Sequence, residues 1–294
     1  MNRLRAGYCT AVNPYSGRPY RVSLSRADAH GIVFFSKNMA PFMRSLDEVD
    51  SMGYPFVVHY TINGYPRQLE RSVVVAVRSA GHVREIARRY GPRAAVWRYD
   101  TILFTSLTPL AFHLENFERL ARSMRGSTDE VVVSFAQLYL KTRRNMDIAA
   151  GKHGFTWWDP PPDEKLSLLK ELCAVAADNS MGLSVCGQLE YAVPPAKDAV
   201  CIDSFRLSYV AGYPIKASRK SHRKACSCHE SRDIGQYDTC PHGCVYCYGT
   251  RDLTAARARY SLHDPEGEFL IPHPGLAPTP DIRSCRDLAG GGAS

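Results

Sequence analysis

Short hydrophobic runs alternate with amphipathic segments between residues 20 and 190. Such alternation is typical of a parallel β-sheet covered by helices. The runs that predict buried strands lie at residues 31–35, 55–60, 93–97, 130–135 and 181–186. A weaker strand is predicted at residues 21–24, and residues 73–77 fit either a strand or a helix.

Helices are predicted where apolar residues recur every three or four positions. One such segment includes Leu114, Phe117 and Leu120, and Gly126 follows it as a stop signal. Another begins behind the prolines at 160–162 and has acidic residues in its first turn, where the helix dipole favours negative charge. Further helices are predicted near residues 41–51, 82–90 and 136–150.

The predicted fold class is therefore α/β, with a partial or permuted (β/α) barrel as its architecture. The chain has 294 residues, and one such barrel usually takes about 250. Residues 1–192 are assigned to the barrel, and residues 193–260 to a cysteine-rich segment that packs on the barrel mouth. Residues 261–294, which contain several prolines and glycines, are predicted to form a partly disordered tail.

Polar side chains follow the predicted strands, at the end where α/β barrels build their sites. They are Ser36, Lys37, Asn38, His59, Thr61, Asn63, Arg98, Tyr99, Asp100, Ser134, Gln137, Gln188 and Glu190. A surface loop is also polar, so no single one of these residues is diagnostic. Five polar strand ends on one rim nevertheless favour a ligand-binding mouth.

The formal net charge of +8 suits an anionic partner such as nucleic acid or a phosphorylated metabolite. A local concentration of basic residues precedes the cysteines. It consists of Lys216, Arg219, Lys220, Arg223 and Lys224. No aromatic residues are interleaved there as stacking platforms, so a solvated connecting segment explains the run better than a nucleic-acid contact does. Nucleic acid is thus a weakly supported partner.

The sequence shows no apolar core of signal-peptide length at its start and no stretch of eighteen apolar residues. We therefore expect a soluble, cytoplasmic protein without membrane contact. In that reducing compartment, ten cysteines argue for metal or redox chemistry rather than for disulfides.

Five of the ten cysteines fall within one short stretch near the C-terminus. Three of them, Cys240, Cys244 and Cys247 (the cysteine triad), are separated by three and then two residues, a spacing that can wrap one turn of backbone around a cuboidal iron–sulfur cluster. Three ligands leave one iron open to bind and activate a small molecule. The alternative is zinc, for which His229 and His242 are close enough in sequence to add nitrogen ligands.

The cysteine triad, with Tyr246 just before its last member, resembles the signature of the radical S-adenosylmethionine (radical SAM) superfamily. The resemblance implies a 4Fe–4S cluster whose open iron binds S-adenosylmethionine. It also implies an electron donor such as flavodoxin or ferredoxin, whose electron releases a 5'-deoxyadenosyl radical. Lys37, Asn38, Arg98 and Asp100 are candidate cofactor-binding residues, because they combine donors for a carboxylate with an acceptor for an amine or a ribose hydroxyl. Tyr246 and Tyr248 are candidates to stack on the adenine, and packing in the core is the alternative for both.

Several segments carry a second resemblance. They are residues 35–38, 59–66, 97–100, 134–135 with Tyr139, and 228–248. Together they resemble a prokaryotic family catalogued as domain of unknown function 1848, over roughly residues 5–255. This resemblance implies a C-terminal cysteine site similar to that of radical SAM proteins. Because the cysteine loop follows the last predicted strand, the barrel is expected to be permuted or completed by C-terminal residues.

Four other cysteines, Cys186, Cys201, Cys226 and Cys228, are the number needed for an auxiliary iron–sulfur cluster. The alternative is that Cys186 and Cys201 are small core residues. The cysteines interpreted as structural or incidental are Cys9, Cys173 and Cys285.

The predicted function is an iron–sulfur enzyme that cleaves S-adenosylmethionine reductively and starts radical chemistry on an unidentified small molecule or peptide. Two alternatives stay open. One is a zinc-capped barrel that acts as a binding protein without radical chemistry. The other is transfer of the aminocarboxypropyl group of S-adenosylmethionine after cleavage of a different carbon–sulfur bond.

Overall fold

The chain is built around a six-stranded parallel β-sheet. The structure, a computed structural model, describes residues 1–14, 16–220 and 225–272. The strands are β1 (Tyr8–Val12), β2 (Pro19–Ser23), β3 (Ile32–Ser36), β4 (Phe56–Thr61), β5 (Ala95–Ile102), β6 (Phe104–Thr105), β7 (Glu130–Phe135), β8 (Trp157–Trp158), β9 (Gly182–Val185) and β10 (Lys197–Asp198). The α-helices are α1 (Asn2–Ala6), α2 (Ser45–Ser51), α3 (Ala76–Tyr90), α4 (Leu110–Ser123), α5 (Leu140–His153), α6 (Pro162–Asp178), α7 (Ser204–Ala211) and α8 (Leu253–Ser261).

The strands of the main sheet follow one another in chain order. The order is β3, β4, β5, β7, β9 and β10, and every neighbouring pair is parallel. The other strands form two separate antiparallel ribbons, β1 with β2 and β6 with β8. The predicted α/β class with a parallel sheet is therefore confirmed.

The main sheet is open within the described part of the chain. There, β3 pairs with β4 and β10 pairs with β9, and these two edge strands do not pair with each other. A closed barrel is thus not confirmed by the structure.

The two faces of the sheet have different covers, because successive side chains of a strand point to opposite faces. Tyr60 and Trp97 belong to the main core, which also contains buried side chains of helices α2 to α6. Val57 and Val96 belong to a second core, which includes Leu207 of α7. Both faces are therefore buried, as is usual for a parallel sheet.

The local sequence patterns agree well with the elements of the sheet. All five strands predicted from apolar runs are present, as β3, β4, β5, β7 and β9. The weaker strand near residues 21–24 is β2, which pairs with β1 outside the main sheet. The ambiguous residues 73–77 form no strand, since α3 begins at Ala76 after an irregular segment.

Regular structure continues beyond residue 190, which the sequence patterns did not predict. Strand β10 adds two residues to the sheet edge, and α7 packs near β4. The carboxylate of Asp203 caps α7 by accepting a hydrogen bond from Phe205 N at 2.8 Å. No helix in the described ranges is long and apolar enough to cross a lipid bilayer.

Part of the predicted tail packs against the N-terminal ribbon. The backbone N–H of Thr10 donates to Glu268 O at 3.2 Å, and Thr10 forms a β-bridge with Phe269. The rest of that tail, residues 273–294 with Cys285, lies outside the described residues. Two members of the basic run, Arg223 and Lys224, also lie outside them.

An ion-pair group joins α7 to the sheet and gives the first testable prediction. The guanidinium of Arg206, 6% exposed, donates to Asp129 Oδ1 and to Glu130 Oε2, each at 2.7 Å. Replacing Arg206 removes the ion pair of Glu130, whereas Asp129 keeps its ion pair with Arg93 at 3.0 Å. We expect Arg206→Met to lower the free energy of unfolding by about 2–3 kcal/mol, less than for a fully buried pair because Asp129 is partly exposed.

The control is Arg122→Met, which removes an exposed helical pair with Glu118. For this control, urea denaturation should show that the free energy of unfolding falls by less than about 1 kcal/mol. Equal losses in the two variants would contradict the structural role assigned to Arg206.

Candidate functional site

Polar side chains from several strands meet at the carboxyl edge of the main sheet. Lys37 follows β3, Asn63 follows β4, Asp100 lies near the end of β5 and Ser134 near the end of β7. This edge is where parallel α/β sheets bind ligands. The structure therefore places four of the predicted rim residues around one region.

A buried carboxylate organises one half of this region. Glu70, 3% exposed, accepts hydrogen bonds from Lys37 Nζ at 2.8 Å and from Asn63 Nδ2 at 3.1 Å. The hydroxyl of Tyr246 also donates to Glu70. Tyr246 in turn accepts from Lys37 Nζ at 3.1 Å and from Asn63 Nδ2 at 2.9 Å. These four side chains form the Glu70 quartet.

Charges within the Glu70 quartet are set by burial and by close partners. Burial alone would lower the pKa of the Lys37 ammonium, but Glu70 and Cys244 raise it, and the net pKa lies above its ordinary value. Burial is the main cause that raises the pKa of Tyr246 well above its ordinary value, with Cys244 and Glu70 adding to it. Lys37 thus stays positive, and Tyr246 stays a neutral hydrogen-bond donor.

The other half of the region is an Arg98–Asp100 pair. Arg98 donates to Asp100 Oδ2 through Nη2 at 2.5 Å and Nε at 3.0 Å, and Ser134 Oγ donates to Asp100 Oδ1. Burial would raise the pKa of Asp100, but Arg98 and Ser134 lower it, and the net pKa is below its ordinary value. Asp100 is therefore ionised at neutral pH.

Asn63 connects the two halves. Its Oδ1 accepts from Asp100 N at 2.9 Å, and its Nδ2 donates to Asp100 O at 3.2 Å as well as to Glu70. A continuous polar network therefore runs from Lys37 to Arg98 across the ends of three strands. Lys37, Arg98 and Asp100, three of the candidate cofactor-binding residues, belong to this network together with Tyr246. Asn38 does not belong to it: its Oδ1 accepts a hydrogen bond from Ala40 N at 3.0 Å and shapes a local turn.

The cysteine triad lies on a loop that docks on the segment after β4. Val245 N donates to Leu69 O at 3.0 Å, and Ser72 N donates to His242 O at 2.8 Å. Tyr246 places its ring in the main core beneath this loop. The loop is therefore fixed to the same region that holds the Glu70 quartet.

A tight turn shapes the triad loop itself. Cys247 N donates to Cys244 O at 3.2 Å, and Gly243 has a φ of 69°. A Cβ at Gly243 would lie 2.8 Å from Leu253 Cδ2, so the backbone angle and the packing both favour glycine. Burial raises the pKa of Cys244 to about 12, although Lys37 opposes the shift. Without a bound metal this thiol is protonated at neutral pH.

The structure also brings Cys186, Cys201, Cys226 and Cys228 together; we name them the four-thiol group. The Sγ atoms of Cys186 and Cys201 are 3.4 Å apart. Cys228 Sγ accepts a hydrogen bond from Ile202 N at 3.4 Å, and the interaction with the Cys201 side chain is the main cause that lowers the pKa of Cys228. Arg98 Nη1 donates to Cys201 Sγ at 3.0 Å, so the polar network reaches this group as well.

The two histidines suggested as zinc ligands, His229 and His242, make backbone contacts in the structure. Within the described ranges, no set of three or more His, Cys, Asp or Glu side chains is arranged as a metal site. His229 has its Nδ1 within 3.1 Å of Ile202 O and 3.3 Å of Ser204 N, which are backbone partners. His242 contributes its backbone carbonyl to the loop contact described above.

Sequence reasoning missed Glu70, although it holds the centre of the site. Glu70 follows β4 by nine residues in a segment without apolar periodicity, so no local pattern distinguishes it from a surface glutamate. Asn63 and Ser134 were recognised as rim residues but not as members of a network. No signal in the sequence pairs them with residues so distant along the chain.

A known protein family matches most of this chain. The family model described as Domain of unknown function (DUF1848) matches residues 1–249. The chain belongs to this family. The DUF1848 match spans the main sheet, the polar network and both cysteine groups, and it stops before α8. Neither a curated protein nor a solved structure gives a significant match to the chain.

The buried hydroxyl of Tyr246 gives a prediction about the DUF1848 site. Tyr246→Phe keeps the ring in the core but removes a donor from Glu70. We expect the free energy of unfolding to fall by about 1–3 kcal/mol, because a buried carboxylate loses one of its partners. The control is Tyr260→Phe, at a residue 58% exposed on α8. Equal denaturation midpoints for Tyr246→Phe and the wild-type protein would disprove the role of this hydroxyl.

A pH dependence follows from His113, which lies beneath the network. Its Nδ1 accepts from the Tyr99 hydroxyl at 2.9 Å, and its Nε2 lies 3.1 Å from Leu103 O. Burial lowers the pKa of His113 from 6.5 to about 4. Between these pH values the unfolded chain binds a proton here that the folded protein does not, so stability falls as the pH is lowered.

We expect His113→Gln to lose part of this pH dependence. As the pH is lowered from 6.5 to 4, its free energy of unfolding should fall by roughly 3 kcal/mol less, at most, than that of the wild-type protein. Other histidines whose pKa is lowered by burial, such as His59 and His82, act in the same direction, so some dependence persists. Urea denaturation across this pH range measures the effect. The exposed His153→Gln is the control, and a slope unchanged in His113→Gln would reject the assignment.

Proposed function

We propose that the chain is a radical SAM-type iron–sulfur enzyme. In this proposal Cys240, Cys244 and Cys247 hold a 4Fe–4S cluster, and S-adenosylmethionine binds beside it. When bound, the cluster supplies the electron that cleaves the cofactor and starts radical chemistry. The observation that carries the proposal is that one loop bearing all three cysteines is fixed above a charged network at the carboxyl edge of a parallel sheet.

The residues of the triad loop suit such a cluster. All three thiols belong to one eight-residue loop, and a tight turn within it links Cys244 to Cys247. Burial raises the pKa of Cys240 and of Cys244, and the positive charge of Lys37 opposes both shifts. A positive charge beside the loop therefore offsets part of the negative charge that three thiolates bring.

The network also offers groups for the cofactor. The ammonium of Lys37 has three donors, and two of them are directed to Glu70 and Tyr246, which leaves one for the carboxylate of a methionine moiety. The ionised Asp100 can accept from an amine or a ribose hydroxyl. Tyr246 is buried, so in this proposal it holds the loop in place, and the half-exposed ring of Tyr248 is the better candidate for stacking on adenine.

In the same proposal, the open sheet, with its strands in chain order, is a partial (β/α) barrel. The electron comes from a donor such as flavodoxin or ferredoxin, in the cytoplasm. The substrate in this proposal is a small molecule or a peptide.

The test is anaerobic reconstitution of the full chain with iron and sulfide. We expect a brown protein with about four irons per chain that cleaves S-adenosylmethionine when reduced. Cys244→Ala should lose both the iron and the cleavage. Cys173→Ala removes a buried thiol of α6, far along the chain from the triad, and should keep both. A Cys244→Ala protein that retains iron and cleavage would refute the proposal.

The products separate the remaining alternatives. Release of 5'-deoxyadenosine supports radical chemistry, whereas methylthioadenosine indicates transfer of the aminocarboxypropyl group. A colourless protein that binds zinc at the triad, and neither iron nor S-adenosylmethionine, would support a zinc-capped binding protein instead.

A further inference from the structure

Three arginines meet beside the triad loop. Arg67 and Arg71 belong to the segment after β4, and Arg257 lies on α8. Arg67 Nη1 donates to Val73 O at 2.5 Å, and Arg257 Nη2 donates to Ser72 Oγ at 2.8 Å. Two of the side chains are thus fixed to the short stretch of chain that contains the third. We name Arg67, Arg71 and Arg257 the arginine cluster.

The arginine cluster lies at the edge of the triad loop. Glu70, the neighbour of Arg71 in the chain, forms a β-bridge with Cys244. A Cβ placed on Gly243 would lie 3.3 Å from Arg71 Cβ and 2.8 Å from Leu253 Cδ2 of α8. The loop that carries the cysteines is therefore packed between the segment after β4 and α8, which are the two elements that supply the arginines.

The positive charges of the arginine cluster have no carboxylate partner. Within the part of the chain that the structure describes, none of the three arginines forms an ion pair. The carboxylates nearest in sequence have other partners. Glu70 is buried and pairs with Lys37, and Asp252 caps α8 by accepting a hydrogen bond from Ala255 N at 2.7 Å. Three like charges in one place repel each other, and a bound anion would offset that repulsion.

The arginine cluster is open to a ligand other than S-adenosylmethionine. All three arginines are exposed at the surface. S-adenosylmethionine carries a positive sulfonium, which three guanidinium groups would repel, and its one carboxylate is assigned above to Lys37. The cluster is therefore suited to an anionic second molecule that binds at the triad together with the cofactor.

The number and type of these side chains favour a phosphate group as that anion. A guanidinium donates two parallel hydrogen bonds to phosphate oxygens, and a phosphate monoester carries about two negative charges at neutral pH. Three arginines in one place match one phosphate group or a diphosphate. A nucleic-acid strand would need cations that follow its backbone over several nucleotides.

We propose that the arginine cluster binds the phosphate group of a small phosphorylated molecule and thereby selects the substrate of the triad. The inference rests on the proposed function in taking the bound molecule as the substrate. Helix α8 lies beyond residues 1–249, which the DUF1848 model matches, so Arg257 adds a donor from outside the matched region.

The direct test is titration of the full chain, prepared without iron, with inorganic pyrophosphate in a calorimeter. We expect binding that weakens as salt is added, because exposed charges are screened. Arg71→Gln and Arg257→Gln should each weaken it about tenfold, the usual effect of losing a hydrogen bond to a charged group. The matched control is Arg84→Gln on α3, whose guanidinium also has a neutral partner, Ser123 O at 2.8 Å. A wild-type protein that does not bind, or equal affinity in all three variants, would overturn the proposal.

Arg71→Gln keeps the test valid if the substitution on α8 disturbs packing. The side chain of Arg71 has no hydrogen-bond or ion-pair partner among the described residues, so its replacement should leave the denaturation midpoint unchanged. Weaker pyrophosphate binding at an unchanged midpoint supports a direct contact. Binding equal to that of the wild-type protein would remove Arg71 from the site and with it the proposed cluster.

A variant of the triad separates this inference from the proposed function. The combined substitution Cys240→Ala, Cys244→Ala and Cys247→Ala should leave pyrophosphate affinity at the wild-type value, because the arginine cluster uses none of these thiols. Failure of the iron–sulfur chemistry would therefore leave the anion site standing. Loss of pyrophosphate binding in this variant would contradict an independent anion site.

Two further probes distinguish the source of the phosphate. A short single-stranded oligonucleotide and vesicles containing an anionic phospholipid should each bind more weakly than pyrophosphate and depend less on Arg71. Tighter binding of either probe that is lost in Arg71→Gln would show that the phosphate belongs to a nucleic acid or to a membrane, and the proposed small substrate would be wrong.

Discussion

The burial of the Glu70 carboxylate is the constraint on which the arrangement of the site depends. A charge removed from water is costly unless opposite charge and hydrogen bonds compensate for it. Glu70 receives that compensation from Lys37 after β3, Asn63 after β4 and Tyr246 of the triad loop. Tyr246 is 176 residues away along the chain, so one buried carboxylate ties the C-terminal cysteine loop to the sheet edge.

The same network extends to the second cysteine group. Asn63 joins the Glu70 quartet to Asp100, and Arg98 joins Asp100 to Cys201. Positive side chains are thus positioned beside both sets of thiols, Lys37 at the triad and Arg98 at the four-thiol group. A nearby cation lowers the cost of ionising a thiol. The fold provides one such cation for each group.

Much of the sheet followed from local pattern. Continuous apolar runs predicted β3, β4 and β7 to within a residue or two, because a strand buried on both faces needs apolar side chains at nearly every position. Strand β10 was missed, since two residues carry no periodicity. Helix α7 was missed as well: at eight residues it is short, and its role depends on the face that it covers.

For this protein, the sequence alone determined the parallel α/β class, most strand and helix positions, and the spacing of the cysteine triad. These features depend on residues close together in the chain, whose spacing can be seen without coordinates. Only the tertiary structure decided that Glu70 is buried under the triad loop and that Cys186 and Cys201 meet Cys226 and Cys228. Such contacts join residues far apart in the chain, and the order of strands and the packing of the loops over them determine which residues meet.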